Sequence, residues 1–97
     1  MLNINTSKKG TTLTVRLEGK LDRNTAESAE ERINSEMSGM DKLIVDLEKL
    51  EYISSAGLRV LVTLRMKMSE HQSMSIKNVQ PSVRSVFDLT GLTRYLI

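Results

Sequence analysis

Residues 43–61 carry the pattern that most restricts how this chain can fold. Leu43 to Val45 form a continuous apolar run that closes at Leu47, which is typical of a central strand covered on both faces. Apolar residues then recur at helical spacing between Ala56 and about Ser69, at Leu58, Leu61, Val62, Leu64 and Met68. We therefore predict a buried strand that passes, through a short loop, into an amphipathic helix.

The residues before this segment predict an N-terminal hairpin. Apolar and polar residues alternate in two stretches, at Leu2 and Ile4 and then at Leu13, Val15 and Leu17. Alternation of this kind is the signature of half-buried strands. Lys8 to Gly10 form the predicted turn between the two strands, and Gly19 to Asp22 follow as a predicted loop.

A first helix is predicted between the hairpin and the central strand. We interpret Asn24 as its N-cap, with Glu27 as the capping-box partner. Its apolar face is formed by Ala26, Ala29, Ile33 and Met37. Strands joined through helices should be parallel, so the strand before this helix and the strand after it are expected to pair in parallel.

The last third of the chain predicts one more strand and one more helix. Ser73 to Lys77 form the strand, and Pro81 suits the first turn of a helix whose apolar stripe is Val83, Val86, Phe87 and Leu89. Tyr95 to Ile97 form a short strand or a docked tail. The predicted fold class is α/β, with a single domain over residues 1–97. A small mixed sheet, the hairpin plus parallel strands, packs with three helices.

Composition limits the functional classes. The 97 residues suffice for one domain, and without cysteine the chain has no disulfides or thiolate metal sites. A net charge of +2 gives no electrostatic case for nucleic-acid binding. No apolar run is long enough for membrane insertion, and the alternating N-terminus does not resemble a signal peptide. We expect a soluble cytoplasmic domain.

No arrangement of residues for catalysis is visible. The one histidine, His71, lies about 20 Å along the predicted second helix from Ser55, too far for a catalytic triad. Phosphate-binding loops, dinucleotide-binding glycine patterns and clusters with metal-ligand spacing are absent. Asp46 is predicted to end the central strand, as the phosphorylated aspartate of response-regulator receivers does. It lacks the acidic pair and the lysine that accompany that aspartate, so we interpret it as structural. We expect no enzyme activity, no cofactor and no metal.

Two hydroxyl groups, those of Ser54 and Ser55, stand where the second helix is predicted to begin. Free backbone N–H groups and the helix dipole make this position tolerant of a phosphate. Serine is also a favoured N-cap, which is the alternative interpretation of Ser55, although one of two hydroxyls is surplus to capping. Gly57 in the first turn costs about 1 kcal/mol relative to alanine. That cost indicates close approach of another backbone or of a phosphate, or relief of packing against the sheet.

Asp22 is a second candidate residue. It ends the loop before the first helix, and in a parallel sheet that loop leaves the same edge as the loop that holds Ser55. We therefore expect Asp22 to lie near Ser55. The alternative is that it serves only as a loop or capping aspartate.

Three segments together resemble the STAS domain, the fold of bacterial anti-sigma factor antagonists. Leu43 to Leu61 resemble the family's signature, and Gly19 to Ala26 resemble its loop before the first helix. Val83 to Leu92 resemble its third helix and Gly-Leu exit. The segments follow one another at the family's spacing and cover nearly the whole chain.

The resemblance implies a binding switch. In such antagonists the unphosphorylated protein binds an anti-sigma factor that is also a serine kinase, which frees the sigma factor. The kinase then phosphorylates a serine at the start of the second helix, and a PP2C-like phosphatase reverses this. The position of Gly57 makes Ser55 the corresponding serine, with Ser54 as the second candidate. Asp22 corresponds to the neighbouring loop aspartate, and Asn24, Ala56 and Gly57 complete the surroundings.

Partner contacts are expected beside this serine. Tyr52 and Ile53, both taken as exposed, and Arg59, one turn into the helix, are the predicted contacts. The alternative function is a STAS interaction module of a transporter or a signalling scaffold. In that case Ser55 only caps the helix.

Overall fold

Eight helices and strands follow one another in the computed structural model, which describes residues 1–97. In chain order they are β1 (Leu2–Lys9), β2 (Thr12–Leu21), α1 (Ala26–Glu36), β3 (Lys42–Ile53), α2 (Ser55–Met66), β4 (Ser73–Lys77), α3 (Pro81–Leu89) and α4 (Thr93–Leu96). The strands form one sheet in the order β1-β2-β3-β4. The predicted α/β fold with a small mixed sheet is confirmed, with four helices in place of three.

The strand pairing follows the prediction. β1 and β2 form the antiparallel hairpin, and the turn between them passes through Gly10, whose φ of 59° favours glycine. β2 pairs with β3, and β3 with β4, in parallel. Parallel neighbours cannot be joined by a tight turn, so α1 and α2 carry the chain back along the sheet.

β3 is longer than predicted. It runs through to Ile53, so the loop predicted after Leu47 is wrong. The pairing register with β2 shifts just after Asp46, which marks a β-bulge. There the Asp46 carboxylate accepts a hydrogen bond from the backbone N–H of Glu48 at 3.0 Å. The bulge lets a polar stretch that looks like a loop in the sequence continue as a strand.

α3 lies along the part of β3 that has no β4 neighbour. The ladder between β3 and β4 ends at Asp46. Beyond it, two side chains at the start of α3 donate hydrogen bonds to backbone carbonyl groups of β3. Gln80 donates to the carbonyl of Glu48, and Ser82 donates to that of Glu51 at 3.3 Å. These bonds satisfy two carbonyl groups of β3 that a neighbouring strand would otherwise bind.

The hydrophobic core lies on one face of the sheet. It contains 21 buried hydrophobic residues and no buried polar side chain. Leu43 and Val45 are fully buried in it, whereas Ile44 between them is only half-buried on the opposite face. The prediction of a central strand covered on both faces is therefore wrong. The strands are added in one direction, so both crossover helices lie on the same side.

The first helix begins differently from the prediction. Thr25 occupies the N-cap position before Ala26, so Asn24 is not the N-cap and forms no capping box with Glu27. Instead the Asp22 carboxylate accepts hydrogen bonds from the N–H groups of Asn24 at 2.9 Å and Thr25 at 3.2 Å. An aspartate that bonds the backbone two residues on forms an Asx turn, and this turn directs the chain into α1.

The C-terminal segment is helical. Val83 and Phe87 of α3 are fully buried, but Leu89 is 87% exposed, so its predicted place on the apolar stripe is wrong. Two residues correspond to about 200° of rotation, which puts Leu89 on the far side of α3 from Phe87. The last residues form α4 rather than a strand, and Leu96 docks into the core. No helix of the structure is long and apolar enough to cross a membrane.

A side-chain link ties β1 to α1. Thr6 Oγ1 donates to Glu36 Oε1 at 2.9 Å, and Arg32 Nε donates to Oε2 at 3.0 Å. These bonds, chiefly the one from Thr6, hold the pKa of Glu36 below its ordinary value of 4.5. A lowered pKa in the folded state contributes stability above the unfolded-state pKa. That contribution is lost as the pH falls through the folded-state pKa.

We therefore expect Glu36→Gln to lower the free energy of unfolding at neutral pH and to have no such effect once Glu36 is protonated. Urea unfolding at a series of pH values measures this. Thr6→Val removes the largest cause of the shift and should move the pKa of Glu36 back toward 4.5 in an NMR titration. Glu70→Gln is the control, since Glu70 is exposed and unpaired. An effect of Glu36→Gln that is equal at neutral and acid pH would contradict the prediction.

Candidate functional site

The candidate site lies where β2 and β3 end side by side. β2 continues through Leu21, where a loop was predicted from Gly19, and Leu21 pairs with Ile53. The N–H of Ser54 donates to the carbonyl oxygen of Leu21 at 3.0 Å. The chain leaves both strands at the same edge of the sheet. The segments that begin at Asp22 and Ser54 are therefore neighbours, as expected from the parallel topology.

The two serines have different structural roles. Ser54 is the N-cap of α2, with extended backbone angles, and its Oγ accepts a hydrogen bond from the N–H of Gly57 at 3.2 Å. Ser55 is the first residue of α2, and its exposed side chain makes no hydrogen bond within the chain. The interpretation of Ser55 as the N-cap is wrong. One hydroxyl is surplus to capping, as predicted, and it is that of Ser55.

Gly57 is required by a close approach of backbone. A Cβ atom at this position would lie 2.3 Å from the carbonyl oxygen of Leu21 and 2.9 Å from its Cγ. The same carbonyl accepts the hydrogen bond from Ser54. Of the explanations that the sequence left open for this glycine, the structure shows two together: the approach of another backbone and tight packing against the strand residues Leu21 and Ile53.

Asp22 organises the loop between β2 and α1. Besides the N–H groups of Asn24 and Thr25, its Oδ1 accepts from the Thr25 hydroxyl at 3.3 Å. The Asp22 N–H in turn donates to Thr25 Oγ1 at 2.9 Å. Its other carboxylate oxygen, Oδ2, makes no hydrogen bond within the chain. Asp22 therefore has the loop role that was the alternative interpretation, and one oxygen remains free at the sheet edge that Ser55 shares.

The three predicted partner contacts differ in accessibility. Tyr52 is 49% exposed, and Arg59 is exposed on α2 one turn after Ser55. Ile53 is only 2% exposed, so the prediction that it is an exposed contact is wrong. Successive strand residues face opposite sides of a sheet, and the exposure of Tyr52 places Ile53 in the core.

Asp46 lies far from this edge. It precedes Ile53 by seven residues of strand, which corresponds to about 23 Å. Its carboxylate accepts a hydrogen bond from Asn78 Nδ2 at 3.1 Å and lies 3.7 Å from Arg16 Nε. These contacts and the bulge agree with a structural role for Asp46. The prediction that it ends the strand is wrong, because β3 continues past it.

A groove that the sequence did not reveal runs between α1 and α2 and begins beside Ser55. It measures about 390 Å³. Its lining residues are Arg23, Ala26, Glu27, Glu30, Glu31, Ala56, Arg59 and Val60. The only sequence signal for it is that two consecutive crossover helices lie side by side on the same face of a sheet. Their exposed residues then form the walls of a shared groove.

Comparison with known proteins identifies the family. Residues 3–96 match the family model of the STAS domain. BtrV of Bordetella bronchiseptica, a candidate anti-sigma factor antagonist, is 32% identical over 77 residues. That match covers 77% of this chain and 66% of BtrV.

Solved structures share the fold at lower sequence identity. An anti-sigma factor antagonist from Mycobacterium paratuberculosis superposes with a TM-score of 0.90 at 23% identity, over 99% of this chain and 83% of that one. The anti-sigma factor antagonist SpoIIAA in its unphosphorylated form superposes with a TM-score of 0.84 at 21% identity, over 98% of this chain and 86% of that one. SpoIIAA of Bacillus in its phosphorylated form superposes with a TM-score of 0.74 at 21% identity, over 98% of this chain and 89% of that one.

We expect Gly57→Ala to destabilise the protein by about 1–3 kcal/mol, because the new Cβ collides with the Leu21 carbonyl. Helix propensity alone would change stability in the opposite direction, by up to about 1 kcal/mol. The sign of the change in the free energy of unfolding, measured with urea, therefore shows whether the collision or the helix propensity dominates. A stabilised Gly57→Ala would show that Leu21 moves aside without cost.

The capping assignment predicts unequal effects for the adjacent serines. Ser54→Ala should lower the free energy of unfolding by about 1 kcal/mol, because the Gly57 N–H loses its acceptor. Ser55→Ala should change it by less than about 0.5 kcal/mol, because the exposed hydroxyl is unbonded. Thermal and urea unfolding of the two variants, each the other's control, measure the difference. Equal losses, or a larger loss at Ser55, would refute the assignment.

Proposed function

Because the chain belongs to the STAS domain family, we propose that it is an anti-sigma factor antagonist controlled by phosphorylation of Ser55. The unphosphorylated form binds an anti-sigma factor with serine kinase activity and frees a sigma factor. Phosphorylation by that kinase ends the binding, and a PP2C-like phosphatase restores it. The protein acts by binding and has no catalytic residue of its own.

One observation carries this proposal. The Ser55 hydroxyl is exposed and free of hydrogen bonds within the chain, and it sits at the first position of a helix that Ser54 already caps. A kinase can therefore modify it without breaking a contact of the fold. The assignments of BtrV and SpoIIAA agree with the proposed role.

The physics of the site favours a change in affinity over a change in fold. A phosphate adds about −1.5 to −2 charges at neutral pH. Backbone N–H groups of the first helical turn and the positive end of the helix dipole compensate that charge. The cap from Ser54 remains in place. An acidic partner surface, in contrast, is repelled, and a close contact over Ser55 is obstructed.

The residues around Ser55 have distinct parts in this proposal. Asp22 holds its loop in place and presents its free oxygen at the shared edge, with Asn24 beside it. Ala56 adds only a methyl group beside Ser55, and Gly57 leaves room for the Leu21 carbonyl at the start of the helix. The proposed partner contacts are Tyr52 and Arg59, with the buried Ile53 removed from the set.

We expect the partner to distinguish Ser55→Ala from Ser55→Asp in a paired pull-down from a lysate of the source cells. An ATP-binding serine kinase should be retained by the alanine bait and lost from the aspartate bait. With that protein purified, the dissociation constant should rise by about tenfold or more for Ser55→Asp, because interfacial charge repulsion costs several kcal/mol. Isothermal titration calorimetry measures it.

Two controls make the result specific. Ser85→Asp adds the same charge at an exposed serine of α3 and should leave binding unchanged. Circular dichroism and urea unfolding should show that Ser55→Asp keeps a cooperative transition. Equal recovery of one partner by both Ser55 baits would refute the switch. It would then support the STAS scaffold or transporter module, in which affinity ignores this position.

A further inference from the structure

The groove between α1 and α2 has a small apolar floor and charged walls. Ala26 and Val60 are 8% and 3% exposed, and Ala56 beside them is half-buried. Small side chains on both helices leave the groove open down to the core. It begins next to Ser55, because Ala56 is the following residue of α2.

Two arginines on the groove have no partner within the chain. The ion pairs of the structure involve Arg16, Arg32, Lys67 and Arg84. Arg23 and Arg59 belong to none of them and donate no hydrogen bond. Three glutamates line the same groove, yet none has its carboxylate within 4.0 Å of either guanidinium. Both arginines are thus available to an external acceptor.

An apolar floor beside unpaired arginines is more typical of a surface that binds another protein than of a small-molecule pocket. Pockets for small ligands are lined predominantly by apolar and aromatic residues, whereas five of the eight residues here are charged. Arginine beside a compact apolar floor is typical of the energetically dominant part of a protein interface. The volume of about 390 Å³ suits a few side chains of a docked segment.

We propose that this groove is the docking surface of the anti-sigma factor, and that its occupant is a segment with an aspartate or glutamate beside an apolar residue. The proposal rests on the proposed function. The carboxylate accepts two parallel hydrogen bonds from the Arg59 guanidinium, and Arg23 adds positive charge at the entrance. The apolar residue packs on Ala26, Ala56 and Val60.

The position of Arg59 links docking to the switch. Ser55 and Arg59 are four residues apart on α2, so their side chains are neighbours on one helix face. A phosphate on Ser55 lies within reach of this guanidinium and competes with the carboxylate of the partner. Phosphorylation then removes the anchor of the docked segment by an intramolecular ion pair, in addition to repelling the segment directly.

The test uses a displayed library of random peptides as the probe, selected on the unmodified protein. Enriched peptides should carry an aspartate or glutamate next to an apolar residue. They should shift the NMR methyl signals of Ala26, Ala56 and Val60. Their affinity should fall by about tenfold or more in Arg59→Glu, as for a central interface arginine.

Matched variants separate charge from folding. Arg94→Glu makes the same charge change at an exposed, unpaired arginine of α4 and should leave the affinity unchanged. Arg59→Gln removes the positive charge but keeps a polar side chain that can donate a hydrogen bond, and it should also weaken binding. The expected loss must appear in variants whose unfolding transitions match that of the unsubstituted protein.

The outcomes distinguish this inference from the proposed function. A library that yields no acidic peptide dependent on Arg59, or peptides that bind Arg59→Gln and Arg59→Glu as well as the original chain, overturns the docking surface. Peptides that depend on Arg59 and are lost with Ser55→Asp support both ideas. Peptides that depend on Arg59 but bind Ser55→Asp equally well support the groove and refute the proposed competition between a phosphate on Ser55 and the docked carboxylate.

Discussion

The carbonyl group of Leu21 is the point on which the geometry of the site depends. It accepts the N–H of Ser54 at 3.0 Å and occupies the space above Gly57. The last residue of β2 is thereby bound to the first turn of α2. The loop that follows Leu21 and the helix that follows Ser54 cannot move independently. This single contact explains why a glycine stands in the first turn and why the candidate site forms at the meeting of two strands.

The outline of the fold could be predicted from periodicity, because alternation and helical spacing report which residues are buried. The details that failed depend on contacts between distant parts of the chain. The bulge at Asp46 turns a polar loop-like stretch into strand, and only the pairing with β2 reveals it. The rotation of Leu89 away from the core depends on where α3 docks. Neither feature leaves a local signal.

The meeting of the segments that begin at Asp22 and Ser54 was predicted, and its details were misjudged for the same reason. The sequence does not distinguish two adjacent serines before a helix. Only the backbone conformation shows that the Ser54 side chain, and not that of Ser55, accepts the Gly57 N–H. Asn24 is not the N-cap, because Thr25 stands in that position and the Asn24 N–H instead donates to the Asp22 carboxylate two residues before it. Ile53 looked exposed beside a polar loop, yet it is a strand residue on the core face. The groove could not be seen at all, because it needs the relative placement of α1 and α2.

The bonds from α3 to β3 have a consequence for how the molecule behaves toward copies of itself. A strand without a neighbour offers free backbone groups to any passing chain, and natural proteins cover such edges. Here Gln80 and Ser82 donate to carbonyl groups in the second half of β3, where β4 no longer pairs with it. If α3 loosened, the long central strand would become a template for intermolecular pairing within a few residues of Ser55. The helix that covers this edge thus limits self-association through the backbone of β3.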